Sequence, residues 1–294
     1  MDQAETLRNI IKLQNQRTVT NARVITVTSG KGSVGKSNTS INLALQFQKM
    51  GKKVIILDAD FGLANVEVMF GVIPKYNMGD LIFNGMDIKD IITEGPEGVG
   101  FISGGSGIAK LVNLDKDQVK NLVGKLSQLE EFADVIIIDT GAGISPAVME
   151  FILVSPETVL VTTPEPTSIT DSYALLKALS MTDSYDSSVN KVKMLANRVS
   201  NEKEGRNLYE KLNSVVTKFL NIKMEYLGHV VYDDNMTKAV MSQKPVTIMY
   251  PHSPASRCYE NIVSTFETGH AVSQNAGVRS FFRNVFSRKM KNGD

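Results

Sequence analysis

The sequence contains one cysteine, Cys258, among its 294 residues. A single thiol cannot form an internal disulfide or a paired-cysteine metal site, so this composition favours a reducing compartment. The chain also lacks a run of about 18 apolar residues and a charged leader followed by an apolar stretch, which predicts neither a membrane span nor a signal peptide. We therefore expect a cytoplasmic protein.

The sequence has almost no net charge, +1 from 32 basic and 31 acidic side chains. The charge is unevenly placed, because residues 277–294 carry five cations against one carboxylate, a net +4, which leaves −3 for residues 1–276. A slightly acidic main body is poorly suited to binding nucleic acid over a broad surface. We expect no direct contact with nucleic acid.

The stretch from Arg23 to Thr39 contains the pattern G-x-x-x-x-G-K-S, with Gly30, Gly35, Lys36 and Ser37 at its defined positions. It follows an apolar β-branched strand and opens a helical stretch, as a phosphate-binding P-loop does. The lysine is expected to reach the β- and γ-phosphates of a nucleotide, and the serine to ligate Mg²⁺. The residues expected to bind the nucleotide here are Gly30, Lys31, Gly32, Ser33, Val34, Gly35, Lys36, Ser37 and Asn38.

A second lysine in the loop, Lys31, is not required by the general motif. Together with Lys36 it resembles the deviant Walker A loop of the MinD/ParA class of ATPases. This resemblance implies an ATP-dependent homodimer in which Lys31 crosses to the partner's phosphates, as an arginine finger does. Ser33 departs from the glycine that is usual in this class. If the backbone there needs a positive φ, serine costs about 1 kcal/mol.

Aspartates follow two apolar runs that are predicted to be buried strands. Asp58 and Asp60 follow the strand expected at Lys53–Leu57, and Asp139 ends the run Val135–Ile138. The carboxyl ends of parallel strands lie at the sheet edge where ligands bind. Asp139 is therefore expected to hold Mg²⁺ through water, as a Walker B aspartate does. The MinD/ParA resemblance assigns Asp60 to positioning the attacking water and Asp58 to supporting the Mg²⁺ region, with a loop cap as an equal alternative for Asp58.

Further likenesses to the MinD/ParA class follow these strands. Thr140 to Gly143 is expected to sense the γ-phosphate as switch II. Asn197, after a strand expected at Lys191–Ala196, is assigned by the resemblance to reading the adenine edge, although an ordinary turn is an alternative. The alternation of strands and helices predicts an α/β fold with a mostly parallel sheet covered by helices on both faces.

The N-terminal segment, residues 1–20, predicts a short amphipathic helix that Asp2 can cap. A helix docked on its own domain is the simpler interpretation of the composition. The letters D-Q-A-x-x-L-R resemble the N-terminal activator motif of the FlhG family, flagellar number regulators also called YlxH or FleN. That resemblance implies stimulation of the signal-recognition-particle-type GTPase FlhF, with Gln3 reaching its active site. The residues assigned to this activity are Asp2, Gln3, Leu7 and Arg8.

The C-terminal segment, residues 271–294, predicts a hinge followed by a basic amphipathic helix. Such a helix is suited to the headgroup plane of an anionic membrane, and two helices on one dimer would bind together. A terminal helix docked on the domain is the alternative. The residues assigned to membrane binding are Val278, Phe281, Phe282, Val285 and Phe286, with Arg279 and Arg283.

These patterns together predict three parts: an activator segment (1–20), a MinD-like ATPase domain (21–270) and a membrane-targeting segment (271–294). The expected function is an ATP- and Mg²⁺-dependent dimerisation switch, with Lys31, Lys36 and Asp60 as catalytic residues. It would bind the inner face of the cell membrane and act on FlhF and the flagellar switch complex. A MinD-type septum-placement ATPase is the alternative. A lone cysteine argues against an iron–sulfur carrier ATPase.

Overall fold

The computed structural model describes residues 22–60, 65–105, 116–183, 185–187, 190–220, 222–268 and 278–289. The predicted activator residues Asp2, Gln3, Leu7 and Arg8 and most of the predicted hinge lie outside the described residues. The MinD/ParA resemblance makes Asp60 to Asn65 the predicted switch I. Its residues 61–64 also lie outside the described residues, whereas Asp60 and Asn65 on either side are described.

The described strands form one eight-stranded sheet in the order β3-β4-β2-β5-β1-β6-β7-β8. Every neighbouring pair is parallel except β3 and β4. The strands are β1 (Arg23–Ser29), β2 (Val54–Ala59), β3 (Thr93–Glu94), β4 (Gly100–Ile102), β5 (Val135–Ala142), β6 (Glu157–Thr162), β7 (Lys191–Val199) and β8 (Met224–Val231).

Helices connect the strands and cover the sheet. They are α1 (Lys36–Lys49), α2 (Asn65–Phe70), α3 (Met78–Phe83), α4 (Ile88–Ile91), α5 (Lys116–Ser127), α6 (Pro146–Val154), α7 (Pro166–Ser180), α8 (Glu202–Phe219), α9 (Asp234–Met241), α10 (Val246–Met249), α11 (Pro254–Thr268) and α12 (Val278–Lys289).

The central strands are almost wholly buried, as a parallel sheet covered on both faces requires. In β2 and β6 every residue is buried, and in β1 only the first residue is partly exposed. This burial explains why valine, isoleucine, leucine and threonine fill most of their positions. The predicted fold class is confirmed. The antiparallel β3 was not predicted, because two residues are too few to show an alternating pattern.

Three apolar clusters fill the space between the sheet and its helices. One lies against α1 and α11, the second against α5, α6 and α12, and the third against α7 and α8. Successive strand residues point to opposite faces, so β1 divides its side chains between clusters: Ile25 belongs to the first and Val24 to the second. None of the helices in the described part of the chain is long and apolar enough to cross a membrane.

The C-terminal helix α12 is docked on the domain. Its apolar face, predicted to meet lipid, lies in the second cluster, where Phe281 stacks on Phe151 of α6 with ring centroids 6.4 Å apart. The Glu130 carboxylate accepts the first backbone N–H of the helix, from Val278, at 2.5 Å. The structure therefore shows the docked alternative. Membrane binding stays a prediction, and it requires α12 to leave the docking groove that α5 and α6 form. The buried residues are Val278, Phe281, Phe282, Val285 and Phe286, whereas Arg279 and Arg283 are exposed.

A buried ion cluster fastens the end of α11 to the sheet. Glu157 is 2% exposed and accepts two hydrogen bonds from Arg23, at 2.6 and 2.9 Å, and one from Lys193 at 2.7 Å. Burial alone would raise the pKa of Glu157, but these two cations lower it below its ordinary value. Both cations also lie over the Phe266 ring, 4.8 and 4.7 Å from its centroid. The cluster therefore fixes the chain just before residues 269–277.

Candidate functional site

The P-loop connects the carboxyl end of β1 to the first residue of α1. Gly35 has a φ of 92° and precedes the helix. Ser33 has a φ of 62°, in the left-handed region. The backbone at Ser33 therefore has the positive φ at which serine is strained, and serine costs about 1 kcal/mol there relative to glycine. The strain lies in the loop that would enclose the phosphates.

The loop also packs tightly at its first glycine. A Cβ built on Gly30 would lie 2.2 Å from the carbonyl carbon of Asp171 and 2.4 Å from the backbone nitrogen of Ser172, both on α7. A Cβ built on Gly32 would meet no atom of the described residues within 4 Å, its two chain neighbours aside. The position of Gly30 therefore has no room for a side chain, whereas the position of Gly32 has.

Lys36 faces the two predicted carboxylates at the sheet edge. Its ammonium lies 3.7 Å from Asp139 Oδ1 and 3.9 Å from Asp60 Oδ2, and the side chain is only 8% exposed. The Asn65 amide donates to the same oxygen of Asp60 at 3.0 Å. The predicted phosphate-binding lysine, the predicted water-positioning aspartate and the Walker B aspartate are therefore brought together.

Asp139 is fully buried where β5 passes beneath α1. Ser40 donates a hydrogen bond to Asp139 Oδ1 at 2.9 Å, whereas Oδ2 has no hydrogen-bond partner among the described residues. Burial raises the pKa of Asp139, and the charge of Lys36 is the largest opposing influence. The hydroxyls of Ser37 and Ser40 also oppose the rise. Ser40 was not singled out from the sequence, although it lies one helical turn after Ser37.

The residues at this edge fit Mg²⁺. Asp60 and Asp139 both lie beside the Lys36 ammonium, and the Asp58 carboxyl is close enough to both carboxylates to feel their charge. The buried Oδ2 of Asp139 has no hydrogen-bond partner in the described chain. No group of three or more His, Cys, Asp or Glu side chains in the described residues could hold a metal alone. This agrees with a P-loop ion, which is held by a serine hydroxyl, phosphate oxygens and water. Ser37 would be the direct ligand.

Asp58 lies in β2 and accepts hydrogen bonds from the backbone at both ends of the predicted switch I. Its Oδ1 accepts the backbone N–H of Asp60 at 3.1 Å, and its Oδ2 accepts that of Val66 at 3.2 Å. Both oxygens thus hold backbone on either side of residues 61–64. The geometry matches the loop-cap alternative for Asp58, and a role toward Mg²⁺ would be indirect, through the position of switch I.

The titration of Asp58 gives a testable pH dependence. Burial and, next, the Asp139 carboxylate raise its pKa to about 7, despite the two backbone hydrogen bonds. The folded state therefore binds more protons than the unfolded chain between about pH 4 and pH 7, and its stability falls as pH rises through that window. We expect the melting temperature of the nucleotide-free protein to decline from pH 5 to about pH 7 for this reason.

Asp58→Asn should flatten that decline, because the titrating carboxyl is gone. Asp234→Asn, which changes an exposed carboxyl of α9, is the matched control and should leave the slope unchanged. Thermal melts of the three proteins at half-unit pH intervals check this. An unchanged slope in Asp58→Asn would show that other groups govern the pH dependence.

Lys31 is held by its own chain at the mouth of the site. Its ammonium donates to Glu165 Oε2 at 2.7 Å and to Thr167 Oγ1 at 2.8 Å, both at the start of α7. The hydrogen bond from Lys31 and, next, its charge lower the pKa of the Glu165 carboxyl. The Lys31 ammonium is thus engaged by the start of α7, whereas the Lys36 ammonium lies beside Asp60 and Asp139.

Switch II runs from the end of β5 into α6. Gly143 donates its backbone N–H to Ser29 O at 2.8 Å, which ties the switch to the start of the P-loop. Gly141 lies against Asp60, since a Cβ there would meet Asp60 Oδ1 at 3.3 Å. Ser145 then caps α6, whose Phe151 contacts α12. One short helix therefore joins the switch to the docking groove of α12.

A cavity of ≈300 Å³ opens beside the P-loop and is lined by Asn197, the residue predicted to read the base. The Asn197 amide is already engaged: it donates to Val34 O at 2.7 Å and accepts from the Arg198 backbone N–H at 3.0 Å. The predicted base reader therefore also supports the P-loop. Tyr259 of α11 also lines this cavity, and it was not singled out from the sequence. The cavity is lined by Gly35, Asn38, Asn197, Arg198, Val230, Val231, Tyr232, Asp233, Met236, Thr237, Val240, Met241 and Tyr259.

Comparison with known proteins agrees with this geometry. The ParA family model, described as "NUBPL iron-transfer P-loop NTPase", matches residues 20–267. The chain belongs to the ParA family of P-loop NTPases. Within this ATP-binding MinD/ParA class it is 38% identical to the antiactivator FleN of Pseudomonas aeruginosa, over 88% of this chain and 91% of FleN. It is 35% identical to the flagellum site-determining protein YlxH of Helicobacter pylori, over 97% and 98% of the two chains. These matches place it in the FlhG-type group of the class.

Solved structures of ParA-family members share the fold. The MinD cell division protein of Aquifex aeolicus superposes with a TM-score of 0.66 at 21% identity, covering 84% of this chain and 97% of MinD. A ParA family ATPase from Chlorobium tepidum gives a TM-score of 0.67 at 20% identity, covering 83% and 98%. At these identities the structures establish the fold alone.

Proposed function

We propose that this chain is an ATP-hydrolysing dimerisation switch that regulates flagellar number and placement. The observation that carries the proposal is the second loop lysine, Lys31, whose exposed ammonium is held by Glu165 and Thr167, whereas the Lys36 ammonium lies beside Asp60 and Asp139. The flagellar role is supported by the identity to FleN and YlxH along nearly the whole chain.

The site supplies the parts of phosphoryl transfer. Lys36 and the P-loop backbone hold the phosphates, and Ser37 and Asp139 hold the metal. Mg²⁺ bound there would supply positive charge against the negative charge that develops on the phosphates. Asp60 orients the attacking water, and Asn65 fixes the Asp60 carboxylate by its hydrogen bond. In the dimer, Lys31 of each protomer completes the site of its partner.

Release of Lys31 from Glu165 is an expected step of dimerisation. Both side chains are substantially exposed, at 36% and 52%, so their ion pair is weak and readily exchanged. The monomer thus keeps the lysine ordered near the interface without holding it tightly. Hydrolysis is expected to be slow until a dimer forms.

Membrane attachment requires α12 to leave its groove. We propose that ATP binding, through switch II and α6, favours the undocked helix, and that two such helices on a dimer bind an anionic membrane together. The protein would be cytoplasmic as a monomer and peripheral on the inner face of the cell membrane as a dimer. The exposed Arg279 and Arg283 are placed to meet lipid headgroups once α12 turns its apolar face outward.

The N-terminal segment carries the proposed action on the flagellar GTPase. A peptide of residues 1–20 is expected to raise GTP hydrolysis by the FlhF-type GTPase severalfold, because a positioned glutamine can orient the attacking water. The Gln3→Ala peptide should lose this effect. Steady-state GTP hydrolysis with each peptide, and with Gln14→Ala as the matched control, checks this expectation.

A lack of stimulation by the native peptide would contradict the activator role and return the cellular function towards the alternative, a MinD-type septum-placement ATPase. The ATP-dependent switch would stand in either case, because it rests on Lys31 and the P-loop. Contacts with flagellar switch-complex proteins belong to the same flagellar hypothesis.

A further inference from the structure

The hydroxyl of Ser40 departs from the usual behaviour of serine inside a helix. Such a hydroxyl normally bonds back to the carbonyl four residues earlier. Thr39, its neighbour, does so, donating to Gly35 O at 2.9 Å. For Ser40 the corresponding carbonyl, of Lys36, is 3.3 Å away, whereas Asp139 Oδ1 is at 2.9 Å. A hydroxyl has one proton, and the carboxylate is the stronger acceptor.

Water does not compete for this hydrogen bond, although the Lys36 ammonium lies 3.7 Å from the same oxygen and the Ser37 hydroxyl also acts on the carboxylate. Ser40 and Asp139 are both 0% exposed, so water cannot replace either partner. The bond fixes which oxygen of Asp139 turns towards α1. The other oxygen, Oδ2, is then the one with no hydrogen-bond partner in the described chain. A carboxylate held by one oxygen presents the second in a fixed direction.

We propose that Ser40 is a positioning residue for metal binding: it orients Asp139 so that Oδ2 is directed to the water shell of the nucleotide-bound Mg²⁺. The inference rests on the proposed binding of Mg²⁺–ATP at this site. Ser40 does not touch the metal or the phosphates. It acts through Asp139, as outer partners of metal-binding side chains do elsewhere.

The test measures metal affinity and turnover separately. A fluorescent ATP analogue is bound in EDTA and then in rising Mg²⁺. Ser40→Ala is expected to leave binding in EDTA unchanged and to raise the half-saturating Mg²⁺ concentration about 10- to 100-fold, the usual effect of losing such a partner. Ser40→Thr keeps the hydroxyl and should restore most of the metal affinity. Ser256→Ala removes a hydroxyl on α11 that is 1% exposed and donates to Tyr250 O, not to Asp139, and is the matched control.

A double variant keeps the proposal falsifiable if Ser40→Thr folds poorly. In the background of Asp139→Asn, Ser40→Ala should add no further loss of metal affinity, because both changes interrupt one chain of contacts. The inference about Ser40 would be wrong if Ser40→Ala kept the wild-type half-saturating Mg²⁺ concentration, or if Ser40→Ala and Ser256→Ala raised it equally. The proposed function of the site would stand in both cases. No Mg²⁺ dependence in the wild type would instead overturn the proposed function of the site.

Discussion

Gly30→Ala is expected to abolish tight ATP binding and to destabilise the fold. The added methyl would lie 2.2 to 2.4 Å from backbone atoms of Asp171 and Ser172. Backbone cannot yield as a flexible side chain can, so either the P-loop or the first half of α7 must move. Overpacking of this severity costs about 3 kcal/mol or more. Because α7 also begins with the residues that hold Lys31, a shift there would disturb both lysines of the loop.

Gly32→Ala is the matched control for this prediction. The same methyl is added two residues away, where no atom of the described residues lies within 4 Å. Its effect on stability should stay within about 0.5 kcal/mol. Thermal unfolding and calorimetric ATP titration of the two variants check the contrast. Equal losses in both would show that the loop needs glycine for conformational freedom and not for its packing on α7.

Phe151→Ala is expected to make membrane binding independent of nucleotide. Phe151 is 6% exposed and forms the α6 side of the groove, stacking on Phe281. Removing a buried phenylalanine costs about 3 to 5 kcal/mol, and here the loss falls on the docked state of α12. The lipid-binding face of α12 itself is unchanged. Pelleting with anionic liposomes should therefore be strong in ADP as well as in ATP.

The control for the groove variant is Leu212→Ala in α8. Leu212 is 0% exposed and belongs to the third apolar cluster, away from α12. It should destabilise the protein comparably while leaving pelleting dependent on ATP. Spins without lipid separate binding from aggregation. If Phe151→Ala pellets only in ATP, as the wild type is expected to, docking of α12 does not control membrane access.

Much of the fold and the centre of the site could be predicted from the sequence. The apolar run ending at Asp139 reads as a buried parallel strand because such strands have no polar face. The spacing of Gly35, Lys36 and Ser37 fixes a loop between strand and helix, since the motif works only there. These patterns lie within short stretches of sequence, so they can be recognised without knowledge of tertiary contacts.

The remaining features depend on contacts between distant segments. The docking of α12 could not be separated from membrane binding, because lipid and an apolar groove select the same amphipathic pattern. The partner of Lys31, Glu165, lies far along the chain, and no spacing rule connects them. The sequence gives equal weight to a cap and a metal role for Asp58, because its hydrogen bonds to the backbone on both sides of residues 61–64 depend on the fold.

The central claim, that Lys31 acts on the partner's nucleotide, is tested most directly by mixing two inactive variants. Lys31→Ala lacks the crossing cation and Asp60→Asn lacks the group that orients water, so each alone should hydrolyse ATP poorly. In a mixed dimer, the Lys31→Ala protomer receives Lys31 from its partner and keeps its own Asp60. One of its two sites is then complete.

We predict that an equal mixture regains about a quarter of wild-type ATP hydrolysis, since half of randomly formed dimers are mixed and each has one working site. ATP turnover measured against the mixing ratio should peak at equal amounts. A mixture no more active than its two components, under conditions where both variants dimerise, would contradict action in trans. Such a result would indicate that Lys31 acts on the nucleotide bound to its own chain.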